Sequence, residues 1–391
     1  MLMLLASLLA CSAPDVTAEF ESRKTAALGP PSKMDASWDE EVVLRLGQAL
    51  VSQLVIASVN AELEGAEPVD VGTFGKLKIN AKLKSMDLIK PGCDACVGIR
   101  GTLGGTVKFK VKGLKAKTVD LTVKFKGQLE FASKDAGPRG RHLTMTLNDI
   151  QDVEVSTGRT NTDVGDVLGE HTTRMLERVE TVDLGPIGSS DLPLRDVRLI
   201  GSKDGLRIEA MASCVQAAPT SGLPSWDGEG FQVLVSEGVL LDTARKEAFR
   251  TGDISGEHAL NIWAEPTSLN LEGSEFSMGL RLWRLEGTGW WRDYTLTGPV
   301  TLERGHLTLE ADALEEGDRS EGAALVDPLS WMGEWLILDT MADAARGAFP
   351  ARDAFQMGDL RLTTTLESLD GSNDALVLDG KLAVHGGKKS K

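Results

Sequence analysis

Reactive and metal-ligating side chains are few in this sequence, and their spacing is poor for catalysis. The cysteines are Cys11, Cys93, Cys96 and Cys214, and the histidines are His142, His171, His258, His306 and His385. Cys93 and Cys96 stand in Pro91-Gly92-Cys93-Asp94-Ala95-Cys96, a spacing that suits a small disulfide or leaves one member to pair with Cys214 in an oxidising compartment. A redox pair would need a strand before it and a helix opening at it, whereas a lysine-alternating strand precedes this one and a glycine-rich turn follows. Zinc requires a second ligand pair, and no histidine lies at a ligand spacing from another. The sequence has no Gly-x-Ser-x-Gly elbow, no phosphate-binding loop and no His-Glu-x-x-His. Gly287-Thr288-Gly289 and the glycines of 101–105 lack the strand-then-helix context of a phosphate site and read as hairpin turns. The expectation is a protein that binds rather than catalyses, with no cofactor and no metal.

Charge is distributed unevenly. The 391-residue chain has a formal net charge of −16, which argues against nucleic acid as a partner. Residues 76–126 nevertheless carry 13 Lys and Arg against three acids, whereas 227–386 carry 12 against 29. Alternation through Val107–Lys112 and Val123–Lys126 places Lys108, Lys110, Lys112, Lys124 and Lys126 on one sheet face, with apolar residues on the other. Two readings stand side by side: a solvated face that discourages edge-to-edge aggregation, or a docking surface for anionic lipid head groups or an acidic partner. Six of the eight tryptophans fall between 263 and 335. Core packing accounts for most of them, while Trp290-Trp291, beside a hairpin turn, is a candidate interfacial pair.

The chain opens with an apolar run ending Leu8-Leu9-Ala10-Cys11-Ser12, too short to span a bilayer. It resembles a bacterial lipoprotein signal. That resemblance implies removal of 1–10, diacylation of Cys11 and, with Ser12 following, sorting to the outer membrane with the body on the periplasmic face. Residues 11–36, with Pro14, Pro30 and Pro31, read as a flexible tether.

Helical periodicity runs from Trp38 to Leu63 and is apolar almost all round, as in a helix enclosed on more than one side. Period-two tracts follow at Leu77–Ile79, Val107–Lys112, Val119–Phe125 and Leu143–Leu147. A second helix is predicted over 162–179, then strands at 192–200 and 205–212. After a Pro-containing linker at 215–229 the order repeats. Ser236 caps a helix that Gly252 ends; strands follow at 259–264, 268–271, 276–285, 294–302 and 306–309. A helix opens at Asp327-Pro328, and two closing strands turn near Asp370-Gly371.

Two copies of this order, with Ser236-Glu237-Gly238-Val239-Leu240-Leu241-Asp242-Thr243-Ala244 and Gly358-Asp359-Leu360-Arg361-Leu362 as the nearest local matches, resemble the tubular lipid-binding superfamily. The tandem form is similar to bactericidal/permeability-increasing protein. The resemblance implies an α+β fold with domains at 37–214 and 230–386, each a long apolar helix wrapped by a highly curved antiparallel sheet plus a second helix, and a short tail at 387–391. It further implies apolar cavities lined by Leu46, Leu50, Leu54, Ala57 and Ala61 in one copy and by Leu240, Ala244, Ala248, Leu338 and Met341 in the other. The expected partners are a phospholipid or similar two-tailed lipid, held and transferred without chemistry, and a membrane surface reached through the lipid anchor. The alternative is a scaffolding envelope lipoprotein with filled cavities and a protein partner.

Overall fold

The structure, a computed structural model, describes residues 15–29, 41–63, 69–70, 76–93, 95–110, 117–135, 141–157, 169–173, 176, 181–187, 194–212, 223–254, 261–287, 289–303, 306–320, 354–357, 360–372 and 374–386. The predicted signal, Cys11, Lys112, Cys214, Leu338, Met341 and the helix expected after Asp327 lie outside them. Of the helix predicted over 162–179, residues 169–173 and 176 are described, and they are helical.

The described chain is dominated by strands. Besides the helical residues 169–173 and 176, its helices are α1 (Val16–Leu28), α2 (Gln48–Leu63) and α3 (Glu237–Thr251). The strands of the first half are β1 (Val42–Gly47), β2 (Val69–Asp70), β3 (Lys76–Ile89), β4 (Cys96–Lys110), β5 (Lys117–Asp135), β6 (Arg141–Thr157), β7 (Val182–Ile187), β8 (Leu194–Ser202) and β9 (Gly205–Ala212). Those of the second are β10 (Phe231–Ser236), β11 (Ile262–Glu272), β12 (Glu275–Arg284), β13 (Trp290–Glu303), β14 (His306–Leu309), β15 (Ala313–Arg319), β16 (Ala354–Met357), β17 (Leu360–Ser372) and β18 (Ala375–Gly386).

Among the described residues these strands form three open antiparallel sheets. One is the meander β2-β3-β4-β5-β6-β7. A second is β11-β12-β13-β14, with β15 also on β13. The third, in the order β16-β17-β18-β10-β1-β9-β8, draws strands from both halves of the chain. Its centre is the antiparallel pair β1–β10, from Val42 opposite Val235 to Leu46 opposite Phe231. To either side the order mirrors itself: β9 then β8 beyond β1, and β18 then β17 beyond β10. Residues 223–229, in the predicted linker, lie by this sheet: Leu223 packs on Val43, Leu234 and Val377, and the Pro224 carbonyl accepts from Arg45 at 2.8 Å.

This corrects the expected fold. Among the described residues no long apolar helix is wrapped by a closed sheet: α2 has 16 residues, α3 has 15, and the three sheets are open. The pattern from Trp38 misled because Val42–Gly47 is a strand paired on both sides, to β9 and β10. A continuously apolar inner strand carries no alternation that would separate it from a buried helix. The all-round apolarity of α2 has a different cause from enclosure by one sheet. Val51, Val55, Val59 and Leu63 enter the core built on β3 to β6, while Leu54 and Ala57 pack on Leu362 of β17, as do Leu382 and Val384 of β18. The helix is clamped between two sheets.

The predicted tether is also revised. Within 11–36, residues 16–28 form a helix capped by Asp15, whose Oδ1 accepts from the Ala18 amide at 3.2 Å, and Phe20 is fully buried. Elsewhere, 262–264 and 268–271 are parts of one strand, β11, bulged between Pro266 and Ser268. The final hairpin turns between Ser372 and Ala375 rather than at Asp370-Gly371. β15 was not anticipated, because Ala313–Arg319 is an acidic, mostly exposed edge strand with no apolar face to betray it.

Candidate functional site

The sheet β3–β6 presents two chemically opposite faces. Inward point Ala81, Leu83, Met86 and Leu88 of β3, Val97, Ile99, Leu103 and Val107 of β4, and Leu121, Val123, Phe125 and Leu129 of β5. Outward point Lys78, Lys82, Lys84, Arg100, Lys108, Lys124 and Lys126, all exposed. Period-two pleating forces the division: once the apolar set is buried, the residues between have no other side to take.

Register brings these cations close together. Lys78 stands opposite Lys108 across β3–β4, and Arg100 lies opposite Lys126 across β4–β5. Like charges directly opposite on one face oppose pairing. At one end the repulsion is relieved. β6 bulges twice against β5, with Asp149 and Asp152 in left-handed backbone conformations (φ 50° and 51°). The bulges aim carboxylates back at β5: Asp152 meets Lys126 at 2.5 Å, and Asp149 accepts from Gln128 at 3.1 Å. Glu154 stands opposite Lys124, and Asp87 opposite Arg100. On β3 and β4 the balance stays positive, around Lys78, Lys82, Lys84 and Lys108. Gly104 contributes here, since a Cβ on it would meet the Lys84 side chain at 2.3 Å; the lysine stem crosses the strand where there is no side chain.

Of the residues expected to dock on an anionic surface, Lys108, Lys124 and Lys126 share this face. Lys110 ends β4, opposite Lys76 in register, and Lys112 is beyond the described strand. Lys78, Lys82 and Lys84 join this face in addition to the residues expected from sequence, and the alternation in Lys76-Leu77-Lys78-Ile79 and Lys82-Leu83-Lys84 is the signal for them. Cys93 and Cys96 are joined as a disulfide in the turn between β3 and β4.

The residues expected to line cavities are placed as follows. Leu50 is buried on α2, Leu46 of β1 packs at the border of the first core, and Leu54 and Ala57 pack on Leu362 of β17 as described. Ala61 is in the last turn of α2. Leu240 belongs to the core of the second half, with Phe276, Met278, Leu280 and Tyr294, and Ala244 and Ala248 are half-buried on α3. Leu54 and Ala57 thus face the central sheet, to which β1, bearing Leu46, also belongs.

A second cluster was not foreseen. On β11, β12, β13 and α3, Trp263, Trp283, Trp291 and Phe249 surround Phe20 of α1, whose ring lies 5.1 to 5.7 Å from those of Phe249, Trp263 and Trp283 in edge-to-face contact. Around this aromatic floor runs an alternating chain of charges. Asp293 grips Arg281 through two bonds of 2.6 and 2.8 Å, Arg281 reaches Glu19 at 3.2 Å, and Glu19 pairs with Arg23 at 3.4 Å. Arg23 in turn meets Glu265 at 3.1 Å, with Arg245 at 3.7 Å from the same carboxylate. Glu265 is buried and also accepts from the Trp283 indole at 3.1 Å. Arg281 is held above the ordinary arginine value, chiefly by its hydrogen bond to Asp293 and against the cost of burial. Lys24 sits 4.2 Å over Trp263, and Arg281 sits 3.9 Å over Trp291. Trp290-Trp291 is thus no exposed interfacial pair: Trp290 is buried in the second core and Trp291 is stacked beneath Arg281. The sequence signal for α1 was an Asp cap followed by apolar residues at Val16, Phe20 and Ala27.

Among the described residues, no cluster of His, Cys, Asp and Glu could hold a metal, and no helix is long and apolar enough to cross a membrane.

The chain matches no protein-family model and no curated protein sequence. Among solved structures it is similar to lipopolysaccharide binding protein, with 12% identity, a TM-score of 0.37 and coverage of 88% of this chain and 99% of that one. It is similar to P47 from Clostridium botulinum A2, with 11% identity, a TM-score of 0.38 and coverage of 88% and 97%. P47 of Clostridium botulinum E1 gives 12%, 0.39, 88% and 99%. Overlaps of this size assign neither an activity nor a ligand to this chain.

Proposed function

We propose that this protein is a lipid-binding envelope lipoprotein, acylated at Cys11, which works at an anionic lipid surface and carries out no chemistry on its ligand. The observation that carries the reading is the lysine face of β3 and β4. Opposed cations such as Lys78 and Lys108 oppose sheet pairing, whereas a row of exposed lysines on one sheet face complements a layer of phosphate head groups. A basic residue near an anionic leaflet is worth about 1 kcal/mol, and the attraction decays within a Debye length of about 10 Å at 0.1 M salt. The ligand is a phospholipid or similar two-tailed lipid, and the setting is the periplasmic face of the bacterial outer membrane. Transfer of the lipid between membranes is the further step in this reading.

The test has two arms. Body lacking the anchor is mixed with vesicles of phosphatidylglycerol or of phosphatidylcholine. Binding to the former alone, weakening with salt and falling at least tenfold in the triple variant Lys78→Glu, Lys82→Glu, Lys108→Glu, is the expected result. Equal binding by variant and parent would leave the face a solvated one. Native mass spectrometry of the same body, prepared from membrane-containing cells, should show a bound two-tailed lipid. A lipid-free protein that takes up no fluorescent lipid would favour the scaffolding alternative.

A further inference from the structure

We infer that α1 fastens the amino-terminal anchor to the second half of the molecule, so that the bilayer bearing the anchor meets the protein at the β12–β13 turn, at residues 285–287 and 289. This rests on acylation at Cys11 as proposed above, and the geometry belongs to α1 alone.

α1 reaches the body at both of its ends. Val16 lies against Gly289, where an added Cβ would come within 3.2 Å of the valine side chain, and Ala27 is buried in the same aromatic cluster. Between them, Phe20 fills the space among Phe249, Trp263 and Trp283. Orientation is set by charge, because Arg281 and Glu265 present opposite signs to Glu19 and Arg23, one turn apart on the helix. A reversed or shifted helix would put like against like. Both receptor groups hold partners of their own, Asp293 for Arg281 and the Trp283 indole and Arg245 for Glu265, so the receptor is organised by the sheet and α3 rather than by α1.

The consequence for the anchor is one of length. A tether running to residue 36 would let the body stand far from the membrane and turn freely. With the helix beginning at Val16 and docked, only the stretch from Cys11 to Asp15 is left between the acylated residue and the body. Four extended residues reach about 14 Å. The surface within that reach is the amino end of α1 with the turn it touches, in which Glu286 and Gly287 are exposed. The far end of the same hairpin, at Ser274, lies one length of β12 away; its ten residues make about 33 Å.

The experiment supplies the anchor chemically, so that the cell's own acylation is not a premise. Full-length body beginning at Cys11, with Cys214→Ser, is coupled through Cys11 to maleimide-bearing lipid in phosphatidylcholine vesicles, and vesicle flotation confirms the coupling. An azide-bearing amino acid replaces Glu286 or Ser274 and carries a fluorophore, and lipids with nitroxide head groups quench it. Quenching at 286 should exceed that at 274 by at least twofold. In a Phe20→Asp variant, and in the double variant Glu19→Lys, Arg23→Glu that opens no apolar gap, the difference should vanish while the circular dichroism of the sheets persists. Equal quenching at the two sites in the parent, or a difference that survives in a folded double variant, would overturn the inference. Mass analysis of Cys11 in the native envelope is a separate measurement: an unacylated Cys11 there would defeat the proposed anchoring and leave the measured geometry of α1 as it stands.

Discussion

Phe20 and Glu265 show how a few side chains hold a short helix on the body. An isolated helix the length of α1 is marginal in water, so its order must come from the surface that receives it. Removing a fully buried phenylalanine ring costs about 3–5 kcal/mol when the site cannot collapse, and the tryptophans around Phe20 are fixed by their strands. Phe20→Ala should therefore release α1, read as increased amide exchange over 16–28 and a red shift in tryptophan emission, with the cores of β3–β6 unaffected. A second residue-scale prediction concerns pH. Burial pushes the Glu237 carboxyl above its ordinary value of 4.5; the Leu271 amide, bonded to it at 2.6 Å, pulls it back, and nearby Asp374 adds to the rise. A carboxyl raised on folding binds its proton more tightly in the native state. Its contribution is thus fully present below the ordinary value and is lost as pH rises through the folded one. Glu237→Gln keeps an acceptor for Leu271 and should flatten the fall in stability from about pH 4.5 upward, measured by denaturant titration across that range.

Among the elements, contact between sheets depends on places where a side chain has no room. Gly201, near the end of β8, lies against β4: a Cβ there would fall 1.8 Å from the Cys96 carbonyl oxygen. Backbone cannot swing aside as a lysine tip can, so Gly201→Ala must push the central sheet away from the six-stranded one. The expected cost is about 1–3 kcal/mol, with a lowered melting temperature. Gly104→Ala makes the useful contrast, because there the obstruction is the flexible side chain of Lys84. It should cost less, and it should displace that lysine from across the strand. The cap of α3 was legible in advance and behaves as read: Ser236 accepts from the Val239 amide at 3.3 Å, and Gly252 ends the helix at φ 88°. Ser236→Ala should lower stability by about 1 kcal/mol.

For the molecule as a whole, the β1–β10 pair decides how the halves depend on one another. Each strand lies between two partners, one from its own half and one from the other. Cutting the chain between 212 and 223 would bare an apolar edge on both pieces and dismantle the small core of Val43, Leu234 and Val377. Residues 230–386 made alone should aggregate or remain partly unfolded by circular dichroism and size-exclusion chromatography. The intact chain should unfold with the two halves coupled, and a piece that folds as a stable monomer would contradict this.

Much was readable from local pattern. Alternation located β3 to β6 and sorted their lysines from their apolar residues, since a pleated strand with one buried face leaves no other arrangement. The Ser and Gly signals around α3 depend on neighbours a few residues away, and the segment that holds α2 reads from sequence alone as apolar on nearly all sides. Other features had no local signature. Val42–Gly47 became a strand because β9 and β10 offered it backbone partners, and α2 is apolar all round because a different sheet covers each side. The docking of α1 depended on pairings from Glu19 to Arg281 and from Arg23 to Glu265 that span most of the chain. Which lysines stand face to face was likewise set by the register of β3 on β4. Composition and period determine what each segment can bury; which surface buries it is a property of contacts distant in sequence, and only the tertiary structure decides those.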